Sequence, residues 1–382
     1  MQLDALRRAF LNHYHTEPLL IVSPGRVNLI GEHTDYNEGY VLPGAIDKTI
    51  AVALSPSGND TCEVHALKLQ QTDRFQLSTL TRGEGWQNYV RGVVHFLLHN
   101  GYQVQGFHAM IDGDIPIGSG LSSSAALEGA FSFGLSELFQ LRVAPLELAF
   151  IGQQAEHQYV GVRCGIMDQY ANIFGKRNQL IRLDCRSLKH VYYPFQFPDY
   201  RIVLCNSMVH HSLASSAYNE RRQQCEEGVA LLKKYHPEVK TLRDVNQAML
   251  HEHIREIPPQ IYMRCMYVVE ENERVLLAGT CLQEANLEMF GELMYASHTG
   301  LQKQYEVSCE ELDYLVELTL NREEVIGARM MGGGFGGCTI NIVHRDGLED
   351  FKQYMTSQYE KKFHRVPEIY VGQIVEGVHV VD

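Results

Sequence analysis

Chemistry in this chain concentrates in a few short stretches. "GDIPIGSGLSSSAALEGA" (residues 113–130) sets Gly118 and Gly120 close together, then Ser122, Ser123 and Ser124, then small apolar residues, with no lysine. A strand running through a glycine-rich turn into a helix start offers unpaired amides and a favourable dipole to an anion. The P-loop pattern G-x-x-x-x-G-K-[ST] is absent. Phosphates bound here would need their charge offset elsewhere, and Mg2+ does this with one or two protein oxygens. Ser124 and Glu156, in "GQQAEHQ", are candidates for those oxygens. The plainer alternatives are a solvent-facing loop with a serine cap and an ordinary surface glutamate.

"SPGRVNLIGEHTDYNEGYVLP" (residues 23–43) crowds Arg26, Glu32, His33, Asp35 and Asn37 among three glycines. Two close carboxylates with flanking donors suit the hydroxyls of a sugar; a polar loop with surface ion pairs is the alternative. "CGIMDQY" (residues 164–170) puts Asp168 among apolar neighbours, where a carboxylate must find a partner or stay protonated. Arg26 is the best candidate. "MGGGFGGCT" (residues 331–339) has five glycines in six positions. It tolerates a side chain only at Phe335, so backbone packed on backbone or on ligand is expected.

The elements that must position these groups are mixed. Helical spacing predicts helices at 3–10, 86–101, 124–139, 145–160, 166–174, 214–235, 241–256, 260–278 and 286–298. Strands are expected at "LLIVS" (stopped by Pro24 and Gly25), "TIAVAL", "CEVHAL", "FHAMID", "QLIRLD", "GARMM", "CTINIVH" and "EIYVG". The aperiodic "YYPFQFPDY" (residues 192–200) marks a boundary between domains 1–195 and 196–382. At 382 residues and 45% hydrophobic the chain can fill two cores. Its net charge of −13 argues against a general nucleic-acid binder. Nine cysteines, with no C-x-x-C pair, fit a reducing cytoplasm. No signal peptide and no membrane span are expected.

Taken in this order, the motifs resemble those of the galactokinases in the GHMP kinase superfamily. "GRVNLIGEHTDY" with "GYVLP", "PIGSGLSSSAAL" and "RMMGGGFGGC" carry the likeness, and "CGIMDQ" and "HSLASSAYNERRQQCE" narrow it to galactokinases. The resemblance implies a two-domain α+β GHMP fold with the active site between the domains, and ATP-dependent phosphorylation of the anomeric hydroxyl of α-D-galactose. It implies a phosphate loop on Gly118, Ser119, Gly120, Leu121, Ser122, Ser123 and Ser124, and Mg2+ on Ser124 and Glu156. Sugar-binding residues fall on Glu32, His33, Thr34, Asp35, Asp168 and Tyr218; the catalytic pair falls on Arg26 and Asp168. Two positions depart from the family pattern. Met331 replaces a usual threonine, which would remove a hydroxyl near the ligands, and His210 replaces a common lysine or arginine. Galactose and ATP are the expected partners. The rival readings are a GHMP kinase for another sugar, a galactose sensor that has lost catalysis, and, disfavoured by the lack of G-x-G-x-x-G in context, a nucleotide-binding dehydrogenase.

Overall fold

A computed structural model describes residues 3–116, 118–209 and 214–381, so His210 lies outside the described residues. The chain opens with α1 (Leu3–Tyr14), whose Leu6 and Phe10 are buried against the first sheet. β1 (Leu19–Asn28) follows, then β2 (Tyr40–Val41), β3 (Pro43–Pro56), β4 (Thr61–Ala66) and β5 (Gln71–Gln76). The strand beginning at Leu19 does not stop at Pro24. It runs on to Asn28, because β3 absorbs the irregularity: Pro24 pairs with Thr49 but Gly25 with Ile46, so Asp47 and Lys48 bulge out. Every residue of β1 after Leu19 is buried, which keeps Arg26 inside the protein.

Next come α2 (Gln87–His99), closed by Gly101 at φ +89°, and β6 (Phe107–Gly113), which leads to the glycine–serine turn. α3 (Ser123–Leu138) lies under the first sheet with eleven of its sixteen residues buried. Its small residues answer to this position: a Cβ at Gly134 would meet Leu54 at 2.6 Å, and one at Gly129 would overlap the Asn172 amide. α4 (Pro145–Ala155) is shorter than expected. From Glu156 to Val160 the chain widens into a π-helical turn, with the amides of Gly161 and Val162 both on the Glu156 carbonyl. α5 (Met167–Phe174) carries Asp168 in its first turn.

β7 (Gln179–Asp184) and β8 (Lys189–Pro194) form a small sheet with β2, and β9 (Tyr200–Asn206) begins another. The aperiodic stretch at 192–200 thus holds the end of one strand and the start of the next. α6 (Ala214–Leu232) is followed by α7 (Gln247–Glu252), a single short piece where one helix over 241–256 is expected. Two caps in succession divide that stretch. Thr241 and Asp244 close a capping box on one turn, and the Asn246 side chain accepts from the Met249 amide to start another. α8 (Pro259–Gln283), α9 (Leu287–Gly300), α10 (Glu310–Glu317), β10 (Val325–Met330), β11 (Cys338–His344), α11 (Leu348–Phe363), β12 (Glu368–Gly372) and β13 (His379–Val381) complete the chain.

The first sheet has the order β13-β1-β3-β6-β4-β5, with β4 and β6 parallel and the other pairs antiparallel; the second, β10-β11-β9-β12, is antiparallel. Alternation along β9 divides its duties: Val203 and Cys205 face α11, while Ile202 and Leu204 join a cluster containing Val27, Leu29 and Leu121 from the first half of the chain. The two halves therefore share a core, and they set the glycine–serine turn against the glycine-rich loop 332–337.

Candidate active site

Arg26 and Asp168 form the centre. Past the bulge, Arg26 is 5% exposed, and it grips Asp168 with both tines of its fork: Nε to Oδ1 and Nη2 to Oδ2, each at 2.7 Å. Its Nη1 donates to the Gly120 carbonyl and its own amide to the Leu121 carbonyl at 3.0 Å. Burial opposes the charge, but Asp168 and Glu32 outweigh it, and Arg26 is held above its ordinary value as a cation. The Ser122 hydroxyl donates to Asp168 Oδ2. One carboxylate thus joins the arginine on β1, the turn before α3 and the start of α5.

A cavity of about 270 Å3 opens on this carboxylate, and Glu32, His33, Asp35 and Tyr218 also line it. Glu32 is held from behind by the fully buried Arg329 (Nη2 to Oε1, 2.7 Å) and by the Gly332 amide at 2.8 Å. His33 adopts φ +61°, and its Nδ1 meets the Tyr36 hydroxyl at 2.8 Å. Burial pushes it down to about 3, so it serves as a neutral ring. Asp35 is pushed up to about 7 by burial and by the charges of Asp168 and Glu32. Thr34 lies behind the cavity wall rather than on it. Its hydroxyl is committed to the carbonyls of Gly31 (2.9 Å) and Tyr40 (2.6 Å), where it fixes the loop that presents His33 and Asp35.

The phosphate-loop candidates form one tight turn. Gly118 (φ +73°), Gly120 (φ +76°) and Ser122 (φ +58°) all take left-handed backbone, and helix α3 starts at Ser123. Ser119 and Leu121 point inward: the Ser119 hydroxyl bonds the Pro116 carbonyl at 2.7 Å, and Leu121 joins the shared core. The 332–337 loop lies directly against this turn. A Cβ on Gly332 would come within 3.3 Å of the Gly120 carbonyl, and one on Gly337 within 3.4 Å of Ser119. The Met331 side chain is 1% exposed in the shared core, so it faces Val27 and Leu121 rather than the cavity.

Ser124 and Glu156 are brought together, the hydroxyl hydrogen-bonded to the carboxylate. Burial, with the Asp168 charge, pushes Glu156 up to about 7 against that hydrogen bond. Sequence reasoning missed a second carboxylate, Glu128, one helical turn after Ser124 on the same face; that i, i+4 spacing was the available signal. It too is raised, by burial and by Glu156; its Oε2 accepts from Gln169 at 3.0 Å and its buried Oε1 has no hydrogen-bond partner among the described residues. Such an oxygen-rich, cation-poor corner has the donor set a hard divalent ion requires.

A second cavity of about 590 Å3 adjoins the first, with Ser124 and Tyr89 on both walls. It is mostly apolar, lined by Ile50, Trp86, Ile115 and Leu127. Sequence gave no warning of it, because its walls come from separate strands and helices. Arg329 was visible in "RMMGGGFGGC", but nothing in the spacing linked it to Glu32.

A buried helix opening at a glycine–serine turn, faced by a glycine-rich loop from a second sheet, defines a GHMP kinase. The chain matches the family descriptions "GHMP kinases N terminal domain" over residues 88–176 and "GHMP kinases C terminal" over residues 280–361. The mevalonate kinase of Methanococcus jannaschii, 17% identical, shares the fold with a TM-score of 0.66 over 94% of this chain and 99% of its own. Residues 8–56 match the "Galactokinase galactose-binding signature". Galactokinases of Roseiflexus sp. (40% identical; 98% of this chain and 96% of the relative) and Chloroflexus aurantiacus (43%; 94% and 92%) align almost end to end. A structure of Lactococcus lactis galactokinase complexed with galactose, 36% identical, superposes with a TM-score of 0.95, covering 99% of this chain and 100% of that one. The chain belongs to the galactokinase family.

Proposed function

We propose that the protein transfers the γ-phosphoryl group of ATP to the anomeric C1 hydroxyl of α-D-galactose, giving α-D-galactose 1-phosphate and ADP. The observation that carries this is the position of Asp168: forked by Arg26, touched by Ser122, and facing a sugar-sized cavity that meets a second, apolar cavity at Ser124.

In this reading Glu32, His33, Asp35 and Tyr218 hold the sugar hydroxyls. The adenine ring occupies the apolar cavity beside Trp86, and the phosphates lie on the amides of residues 118–124 at the N-terminus of α3. Ser124 and Glu156 would hold Mg2+, which offsets phosphate charge when bound; Glu128 backs them. Asp168 orients the C1 hydroxyl and accepts its proton as the oxygen bonds to the γ-phosphorus and the bond to the ADP oxygen breaks. Arg26 keeps Asp168 in place and stabilises charge on the moving group.

The same reading divides the chain at 195/196. β8 ends at Pro194 and β9 opens the second sheet at Tyr200, but β13 returns to pair with β1, so residues 379–381 join the first unit. It also places the enzyme in the cytoplasm. None of the nine cysteines is in a disulfide, and among the described residues no helix is long and apolar enough to cross a membrane.

A coupled ADP assay across galactose, N-acetylgalactosamine, arabinose and glucose tests the proposal. Galactose should give the highest kcat/KM. A better rate with another sugar would reassign the substrate, and no ADP release with any of them would favour a binding protein without transfer chemistry.

A further inference from the structure

Away from the active site, two histidines face each other nitrogen to nitrogen. His236 lies just beyond the end of α6 and His253 just beyond α7, with their Nε2 atoms 3.2 Å apart. Glu252 adds a carboxylate oxygen, so three ligand atoms lie within 4.8 Å of one another. Glu252 is exposed and makes no ion pair or side-chain hydrogen bond with the described residues. Glu238 stands behind His236, its Oε1 3.7 Å from Nδ1. Tyr235 stacks on His253 at 4.1 Å between ring centroids, fixing the orientation of that ring.

We propose that His236, His253 and Glu252 form a binding site for a borderline divalent transition ion of the Zn2+ class. Two ligands about 2.0–2.1 Å from a tetrahedral ion sit about 3.3 Å from each other, which is the spacing the two imidazoles already have. Both rings present Nε2, the usual neutral donor, and the Glu238 carboxylate 3.7 Å from Nδ1 of His236 adds negative charge beside that ligand. Two imidazoles and one carboxylate suit this class of ion; Mg2+, which takes oxygen ligands, belongs at the other site. An imidazole–imidazole hydrogen bond would account for the distance without an ion, and titration with the metal separates the two.

A second group, His13, Glu63 and His65, also brings three ligand atoms within 4.8 Å of one another but is already saturated. Its Glu63 accepts from Tyr14 at 3.0 Å and pairs with the Arg74 guanidinium, which would repel an incoming cation. It therefore serves as an internal control.

The experiment is calorimetric titration of Zn2+ into chelator-treated full-length protein, repeated with His236→Ala, Glu252→Gln and His65→Ala. Wild type and His65→Ala should each bind one ion with equal affinity. His236→Ala should weaken binding at least about a hundredfold, and Glu252→Gln about tenfold. Glu252 is exposed, so that variant reports even if removing His236 disturbs the fold. Co2+ in place of Zn2+ should give visible bands without a thiolate charge-transfer band, which separates this site from the nine cysteines. Absence of binding, unchanged affinity in both His236→Ala and Glu252→Gln, loss of the ion in His65→Ala, or a thiolate band would each overturn the proposal.

Discussion

Asp35 shows how one side chain's surroundings set its behaviour. It lines the cavity of about 270 Å3 together with Glu32 and Asp168, and burial with those charges raises it from 3.8 to about 7. The sign of the effect on stability follows. Below about pH 4 both folded and unfolded states hold the proton. Between about pH 4 and pH 7 only the folded state holds it, so stability falls as pH rises through that window, and above about pH 7 the loss is complete. Denaturant midpoints of the unliganded protein should decline from about pH 4 to about pH 7, and Asp35→Asn should flatten part of that decline. An identical pH slope in the variant would show that Asp35 is not the group responsible. Glu32, on the same wall, has a fully buried partner, Arg329, fixed to it. Arg329→Met should cost about 3–5 kcal/mol by leaving that carboxylate buried and unpaired. A loss below about 1 kcal/mol in chemical denaturation would mean that the pair does not hold the wall together.

At the scale of elements, the site depends on backbones that approach where side chains would not fit. A Cβ on Gly165 would overlap the Asp35 carboxylate, whereas one on Gly332, already at φ +83°, would press on the carbonyl of Gly120. The Asp35 wall can therefore be disturbed without touching the glycine–serine turn. Gly165→Ala should raise KM for galactose about tenfold and leave KM for ATP nearly unchanged, whereas Gly332→Ala, whose amide holds Glu32 and whose Cβ would press on the turn, should raise both. Steady-state kinetics with each substrate varied would check this, and equal effects of Gly165→Ala on both constants would contradict it. The same loops explain what was legible in the sequence. Ser122, Ser124, Asp168 and the glycines at 332–337 sit in short contiguous runs, so the sequence alone could mark them as candidates. Arg329 and Glu128 act through partners far away in the chain or hidden by folding. The bulge at Asp47–Lys48 let β1 pass Pro24, where strand rules predict a stop. The two caps at Thr241 and Asn246 outweighed a helical period that ran across them.

At the scale of the whole molecule, the first cavity takes its walls from both halves of the chain, Tyr218, Gly332 and Gly333 joining Arg26 and Asp168, while the second is lined from residues 50–160 alone. Val27, Leu29 and Leu121 pack with Ile202, Leu204 and Met331, and β13 closes the first sheet from the far end of the chain. Thermal unfolding should therefore be one cooperative transition, raised by galactose as binding to the native state requires; two resolved transitions in calorimetry would show that the halves melt separately. Long-range closure of this kind leaves no local mark in the sequence, which is why β13 and the apolar cavity beside Trp86 went unread while the motifs did not. All three scales meet at Asp168, where β1, the glycine–serine turn and α5 converge on one carboxylate. The decisive measurement is single-turnover transfer from ATP to galactose by Asp168→Asn, with galactose binding monitored in parallel. The account predicts a transfer rate lower by about a hundredfold or more with binding and fold retained; a near-normal rate in that variant would contradict it.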